Sequence, residues 1–251
     1  MKKPLDRFSV QSHDYKKHRP IYPIELYKEI LQPILNYERC WDCATGNGQA
    51  AQVLSAHFER VEATDISENQ LAQAPKLNNV SYSVQRAEET NFPDNHFDLI
   101  TVGQAIHWFD FDAFNQEVRR VSKPGAIVAI WGYGLLKIDK DIDALTTEFD
   151  SEIVGPYWDI ERRHIDSAYS SIPFPFSAIN VRRSFYIEEE WELPRLEGYF
   201  NSWSCVQNYK KQKNGENPVP ELMRKITPHW TEKGTKKVTF PIFLRLGRIL
   251  K

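Results

Sequence analysis

The chain has 251 residues, enough to bury a substantial core in one domain or in one domain with a sizeable insertion. Hydrophobic residues make up 41% and charged residues 26%, a composition that fits a globular chain and argues against a disordered one. The 32 Lys and Arg nearly balance 34 Asp and Glu, so charge makes no case for a nucleic-acid or membrane-surface partner, and neither is expected.

The longest apolar runs, such as Ala126 to Trp131, suit a buried strand and fall far short of the ~20 residues a spanning helix needs. No apolar core follows the lysines of MKKPLDRFS, so no secretory signal is expected. Three cysteines without such a signal point to a reducing cytoplasm. Cys40 and Cys43 form a C-x-x-C. They fall in a strand-like segment, where residues three apart point to opposite faces, and no second pair completes a zinc site. A redox or metal role is therefore not expected, and no metal is.

In chain order, Pro20 and Pro23 close a polar, aromatic N-terminal stretch. A helical stripe of Leu26, Ile30, Leu31 and Leu35 then predicts a helix over Ile24 to Leu35. Residues 39–43 read as a strand, and a helix runs from Gln49 to Phe58. Val61 to Asp65 is a strand, Ser67 caps a helix from Glu68 to about Ala74, and Pro75 stops it. Val80 to Val84 and Phe97 to Val102 are strands, Phe111 to Val121 a helix, Lys123-Pro124-Gly125 a turn, and Ala126 to Trp131 a buried strand. Strands alternating with helices imply a parallel sheet covered on both faces.

After Gly134 the rhythm breaks. A helix is predicted over Ile142 to Ile153, a strand over Val181 to Ile187, helices over Glu190 to Trp203 and Pro220 to Ile226, and a last strand over Lys236 to Leu246. The expected organisation is an N-terminal lid and first helix (1–37) and a sheet core (38–134). A cap with a sixth strand near 181–187 (135–235) and a final strand returning to the sheet (236–251) follow.

In open α/β sheets, ligands bind at the carboxyl ends of the strands. The first such turn reads Asp42-Cys43-Ala44-Thr45-Gly46-Asn47-Gly48-Gln49, and its glycines let the backbone approach a ligand closely. Asp65 ends the second strand, 19 positions after Gly46, where a carboxylate can accept hydrogen bonds from both ribose hydroxyls of an adenosine. Gly46-x-Gly48-x-x-Ala51 also satisfies the looser nicotinamide-dinucleotide pattern. Asp42 argues against that alternative, because a carboxylate beside the turn repels a pyrophosphate and attracts a ligand carrying an ammonium and a sulfonium.

At this point a resemblance becomes specific. Asp42 to Gly48 looks like motif I of the class I S-adenosylmethionine-dependent methyltransferases. Asp65-Ile66-Ser67 looks like their acidic motif, and Ala87-Glu88 with Phe92-Pro93-Asp94 and Phe97-Asp98-Leu99-Ile100 resembles the segment leading into the fourth strand. Gln104-Ala105-Ile106-His107-Trp108-Phe109-Asp110, with Phe8-Ser9, Tyr15, Arg19-Pro20 and Tyr22-Pro23, resembles a subgroup related to trans-aconitate methyltransferase, within the type 11 methyltransferase domain. Two positions depart from the pattern: Ala44 replaces the usual glycine, and Arg86 stands where many relatives carry an acid.

The resemblance implies an α/β fold with a doubly wound, mostly parallel seven-stranded sheet, an antiparallel last strand and a helical cap insertion. It implies that the Ala44, Thr45, Gly46 and Gly48 turn, with Asp42, holds the methionine part of S-adenosylmethionine. Asp65 and Ile66 would hold the ribose, Ala87 and Glu88 the adenine, and Gln104 would meet the ligand through its backbone. Tyr15 and Arg19 would close over the site. The expected reaction is in-line methyl transfer to a small-molecule acceptor. A carboxylate acceptor needs no base, whereas a hydroxyl or amine calls for one, for which His107 is the candidate because its ring titrates near neutrality. Trp108, Trp158 and Trp203 would wall the acceptor pocket, and Arg162, Arg163, Arg182 and Arg183 are candidates to meet an acidic substrate. The competing readings are a nicotinamide-dependent oxidoreductase and an S-adenosylmethionine-binding protein without turnover.

Overall fold

The structure, a computed structural model, describes residues 20–230 and 234–251. Tyr15 and Arg19, with Phe8 and Ser9, lie outside the described residues. Helix α1 (Ile24–Leu31) and strand β1 (Arg39–Cys43) open the described chain, followed by α2 (Gln49–Leu54), β2 (Arg60–Asp65), α3 (Glu68–Leu71), β3 (Val80–Val84) and β4 (Phe97–Gly103). A 3-10 turn (Ile106–Trp108), α4 (Phe111–Val121) and the long β5 (Ser122–Tyr133) complete the regular part. Thereafter come α5 (Lys140–Glu148), α6 (Arg162–Asp166), β6 (Ser177–Ile179), β7 (Phe185–Trp191), α7 (Leu193–Asn201), α8 (Ser204–Gln212), α9 (Val219–Ile226) and β8 (Lys236–Arg248).

The strands form one sheet in the order β3-β2-β1-β4-β5-β8-β6, with β7 also paired to β8. β1 through β5 run parallel to their neighbours, and β8 runs antiparallel to β5, β6 and β7. Among the described residues the sheet has eight strands, one more than expected. The extra one arises because β6 and β7 pair with different stretches of the same long strand: Ser177–Ile179 opposite Leu246–Arg248, and Phe185–Trp191 opposite Lys236–Ile242.

Alternation along β1 separates the two layers. Cys40 packs with Leu26, Ile30, Ala51 and Leu54 on the face covered by α1 and α2. Trp41 and Cys43 pack with Phe97, Ile100, Phe114 and Val118 on the face covered by α4. The two cysteines are thus buried in opposite layers, both free, and burial pushes both thiols well above their ordinary value. A third cluster, centred on Trp191, Phe200, Trp203 and Phe240, forms the core of the cap over β7 and β8.

Several boundaries differ from expectation for identifiable reasons. Pro33 cannot supply the N–H that would extend α1, so the helix stops at Leu31 and Leu35 is 82% exposed. Tyr27 points inward instead. The predicted turn at Lys123-Pro124-Gly125 lies inside β5, where Gly125 takes φ +82 and its N–H donates to Ile249. The strand expected at 181–187 runs over 185–191, so the next helix begins at Leu193 rather than Glu190 and ends at Asn201, and Trp203 precedes a separate helix, α8, as its N-cap residue. Asp139 caps α5 by accepting from the Ile142 N–H at 3.1 Å, which moves its start ahead of Ile142. Ser67 does cap α3, accepting from the Gln70 N–H at 3.3 Å.

Gly132 in β5 packs closely against Gln104 and Phe243. A Cβ there would lie 2.6 Å from Gln104 Oε1 and 2.6 Å from the Phe243 ring. Gly132→Ala is expected to destabilise the protein by about 1–3 kcal/mol through overpacking, lowering the melting temperature by ~2–4 °C per kcal/mol. An unchanged melt would show that the neighbouring side chains yield freely.

Candidate functional site

The turn after β1 is built on positive φ angles, Ala44 at 53, Gly46 at 58 and Gly48 at 82. Ala44 shows that alanine is accommodated where a glycine was expected from the resemblance. Gly48 is different: a Cβ there would meet the Tyr82 hydroxyl at 2.9 Å and Ala74 Cβ at 3.1 Å. The Thr45 N–H donates to Thr64 O at 2.9 Å, tying the turn to β2.

Beneath the turn lies Asp42, 1% exposed. Its carboxylate accepts from Thr45 Oγ1 at 2.5 Å and from Thr101 Oγ1, on β4, at 2.7 Å. Burial pushes Asp42 up to about 6, against the opposing pull of these hydroxyls and of an α2 backbone N–H. Desolvation and then the Asp42 charge raise the Tyr27 and Tyr82 phenols as well, which places both rings within its field. Among the described residues, the hydroxyls of Tyr27 and Tyr82 and the Trp131 Nε1 are buried without a hydrogen-bond partner. A buried anion next to orphaned polar groups and a turn of left-handed backbone fits a ligand with a cationic, amino-acid-like end.

Asp65 holds the next loop. It accepts from the Gly46 N–H and from the Ser67 N–H, each at 2.9 Å, so the ribose candidate also braces the turn. Ile66 beside it is 37% exposed, an apolar surface at the strand end. Ala87 is buried in the α4-side core. The Glu88 carboxylate accepts from the Asp110 N–H at 3.1 Å and pairs with Arg86 at 3.4 Å. Arg86, the departure from the family pattern, is thus a partner of Glu88.

Gln104 directly follows β4 and lines a pocket. It has φ +53, its N–H donates to Trp131 O at 2.8 Å, and its Oε1 accepts from the Tyr133 N–H at 2.7 Å. The pocket it lines is partly open to solvent and includes His107, Trp108, Trp158, Arg162 and Trp203 in its wall. The structure thus brings together all three tryptophans and one of the four arginines singled out in the sequence. Arg163, Arg182 and Arg183 are not in the lining. Arg162 lies over the Trp158 ring at 4.3 Å and pairs with Asp166 at 3.0 Å. His107 is buried, with Nδ1 2.9 Å from the Tyr169 hydroxyl.

Tyr27, Tyr82, Trp131 and Tyr169 were not visible as site residues in the sequence. Each comes from an element with no motif of its own, and only the sheet order and the cap's return path place them there. No group of three or more His, Cys, Asp or Glu able to hold a metal occurs among the described residues, and no described helix is long and apolar enough to cross a membrane.

Comparison with known proteins gives this arrangement its context. Residues 41–130 match the family model described as a methyltransferase domain. A protein of Dictyostelium discoideum named as a methyltransferase is 32% identical over 252 residues, covering 97% of this chain and 95% of its own length. A solved structure from Anaeromyxobacter dehalogenans, described as a type II methyltransferase, superposes with a TM-score of 0.85 at 36% identity, covering 92% of this chain and 98% of that one. The Haemonchus contortus phosphoethanolamine N-methyltransferase 2, in complex with phosphomonomethylethanolamine and S-adenosylhomocysteine, shares the fold at a TM-score of 0.50 and 18% identity, over 97% of this chain and 58% of its own.

The raised Asp42 carboxyl has a direct consequence for stability. The folded chain holds this proton more tightly than the unfolded chain, so stability falls as pH rises from about 4 to about 6 and the loss is complete above that. The loss amounts to about 3 kcal/mol. An asparagine side chain at this position can still accept from one threonine and donate to the other. Asp42→Asn is therefore expected to be more stable than the parent by up to ~3 kcal/mol at pH 8, with the gap closing toward pH 4, in melts recorded at both. A gap that is absent or reversed at pH 8 would contradict the buried-charge account.

Proposed function

This chain belongs to the class I S-adenosylmethionine-dependent methyltransferases, and we propose that its acceptor is a small molecule held in the pocket beside Gln104, with a carboxylate as the group methylated. The observation that carries this reading is the position of Gln104. It directly follows β4, the hydrogen-bonded neighbour of β1, and it also lines the pocket, so the pocket lies beside the strand that borders the one carrying the glycine turn. The membership leaves no room for the nicotinamide-dependent alternative.

When bound, S-adenosylmethionine supplies an electrophilic methyl carbon whose leaving group is a neutral thioether. The residues' part is placement. Asp42 and the Ala44–Gly48 turn would hold the methionine end, Asp65 and Ile66 the ribose, and Ala87 with Glu88 the adenine. Since the Gln104 N–H is committed to Trp131 O, contact from that backbone would run through its carbonyl. Tyr15 and Arg19 complete the proposed set from outside the described residues. Holding nucleophile and methyl in line can contribute ~7–11 kcal/mol.

Three features support a carboxylate. An anionic oxygen needs no base. Arg162 lines the pocket stacked on Trp158, with its Nε given to Asp166 and Asp150 4.0 Å away, and its other N–H groups are the ones that would meet a carboxylate. Residues 104–110 resemble the trans-aconitate methyltransferase subgroup. The aromatic wall of Trp108, Trp158 and Trp203 would take the apolar body of such a molecule.

The direct test is incubation with a metabolite extract and methyl-labelled S-adenosylmethionine, followed by mass identification of labelled products. Base-labile methyl esters are expected. Label on an amine or hydroxyl would overturn the carboxylate, and no labelled metabolite at all would favour binding without turnover. Trp158→Ala is expected to raise the KM of the identified acceptor by roughly tenfold, the loss of one aromatic contact, while cofactor affinity stays within twofold. Equal weakening of both would remove Trp158 from the acceptor side. Trp203 serves less well as a probe, because it anchors the cap core against Phe149, Tyr199 and Phe200.

A further inference from the structure

Ala168 and Tyr169 are consecutive non-glycine residues with left-handed backbone, φ 49 and 59. Side chains disfavour this region, and a residue stays there only where its surroundings over-determine it. Tyr169 is fixed from three sides. Its N–H donates to His164 O at 2.7 Å. Its carbonyl accepts from Arg245 on β8 at 2.6 Å, and Arg245 also donates to Ile172 O at 2.7 Å. Its ring, fully buried, meets Phe243 edge-on at 4.8 Å. All of this ends at one contact, the Tyr169 hydroxyl 2.9 Å from His107 Nδ1, with the two rings within 30° of parallel.

We propose that Tyr169 is a positioning residue that donates its phenolic proton to His107 Nδ1, fixing the imidazole proton on Nε2 and making His107 a hydrogen-bond donor in the pocket wall rather than a base. A neutral imidazole has one donor and one acceptor nitrogen, and the bond made by one decides the role of the other. Between the two partners, the phenol is the stronger acid and the imidazole nitrogen the stronger acceptor, so the proton sits on the tyrosine oxygen and points at Nδ1. The role in methyl transfer rests on the pocket being the acceptor site; the proton assignment does not. It suits that reading, because an anionic acceptor calls for a donor and has no proton to lose.

The test is nitrogen-15 NMR of the histidine side chains of the full chain, recorded across a pH series and read where the His107 ring is in its neutral form. The His107 signal is identified by its loss in His107→Gln. The expected spectrum shows unprotonated Nδ1 and protonated Nε2; protonated Nδ1 would overturn the proposal. Tyr169→Phe keeps the ring packing and should release His107 into a mixture of both forms, whereas an unchanged spectrum would deny Tyr169 its role. With the extract fraction that the parent methylates as probe, Tyr169→Phe should lower kcat/KM by about tenfold, the cost of one misoriented hydrogen bond, with S-adenosylhomocysteine affinity within twofold. Matching losses in both would mark Tyr169 as merely structural. If the parent methylates no fraction, the acceptor reading falls while the spectrum still decides the proton's place.

Discussion

A carboxylate buried under a backbone turn sets the terms for the rest of this protein. Asp42 is costly where it lies, and the structure offsets the cost with hydroxyls from two directions, Thr45 within the turn and Thr101 on the adjacent strand. Those contacts require β1 and β4 to be neighbours in register, with Asp42 opposite Thr101. They also require the turn to double back over its own strand, which the left-handed angles of Ala44, Gly46 and Gly48 permit. The sheet order and the turn geometry are thus coupled to a single charge. On the proposed reading a cationic ligand at the turn would relieve the same charge, so cofactor binding and the stability of the turn would draw on one interaction.

Gln104 extends this logic across the sheet. It leaves β4 with a left-handed backbone and spends its side chain on the Tyr133 backbone at the end of β5. The ends of two adjacent strands are locked together there, and both Gln104 and Tyr133 line the aromatic cavity. On the proposed reading two binding regions of different character would share that wall, one charged beside the turn and one lined by the aromatic residues of the pocket.

Much of the core is legible in the sequence because its signals are local. The glycine turn, the acid ending the second strand and the apolar runs of β4 and β5 each fall within a few residues, so β1 through β4 emerge close to their predicted bounds, and the predicted Ala126 to Trp131 forms the middle of a longer β5. The Ser67 cap is readable for the same reason. At the end of α1 two local signals compete, and the block imposed by Pro33 outweighs the hydrophobic stripe that reaches Leu35. Elsewhere the differences depend on partners distant in sequence. The division of one edge between β6 and β7 is decided by the length of β8, which no pattern in residues 177–191 records. Tyr27 and Tyr82 reach Asp42 from a helix and an outer strand, and Tyr169 reaches His107 from the cap. Such residues carry no motif and become visible only when the chain is closed.

β8 gives that closure an order in time. Its 13 residues cover one edge of β5 on one side and pair with both β6 and β7 on the other. During synthesis β5 can join β4 as soon as it emerges, but its outer edge and both later strands lack a partner until residues 236–248 are made. The Arg245 contacts that hold Tyr169 arrive with the same segment. A nascent chain can therefore build the cofactor side first and hold it for more than a hundred residues with an open sheet edge, the feature that invites mispairing. The pocket side is assembled only afterwards. Shielding of that edge on the ribosome, more than the strength of any single contact, would then govern how much active protein a cell recovers.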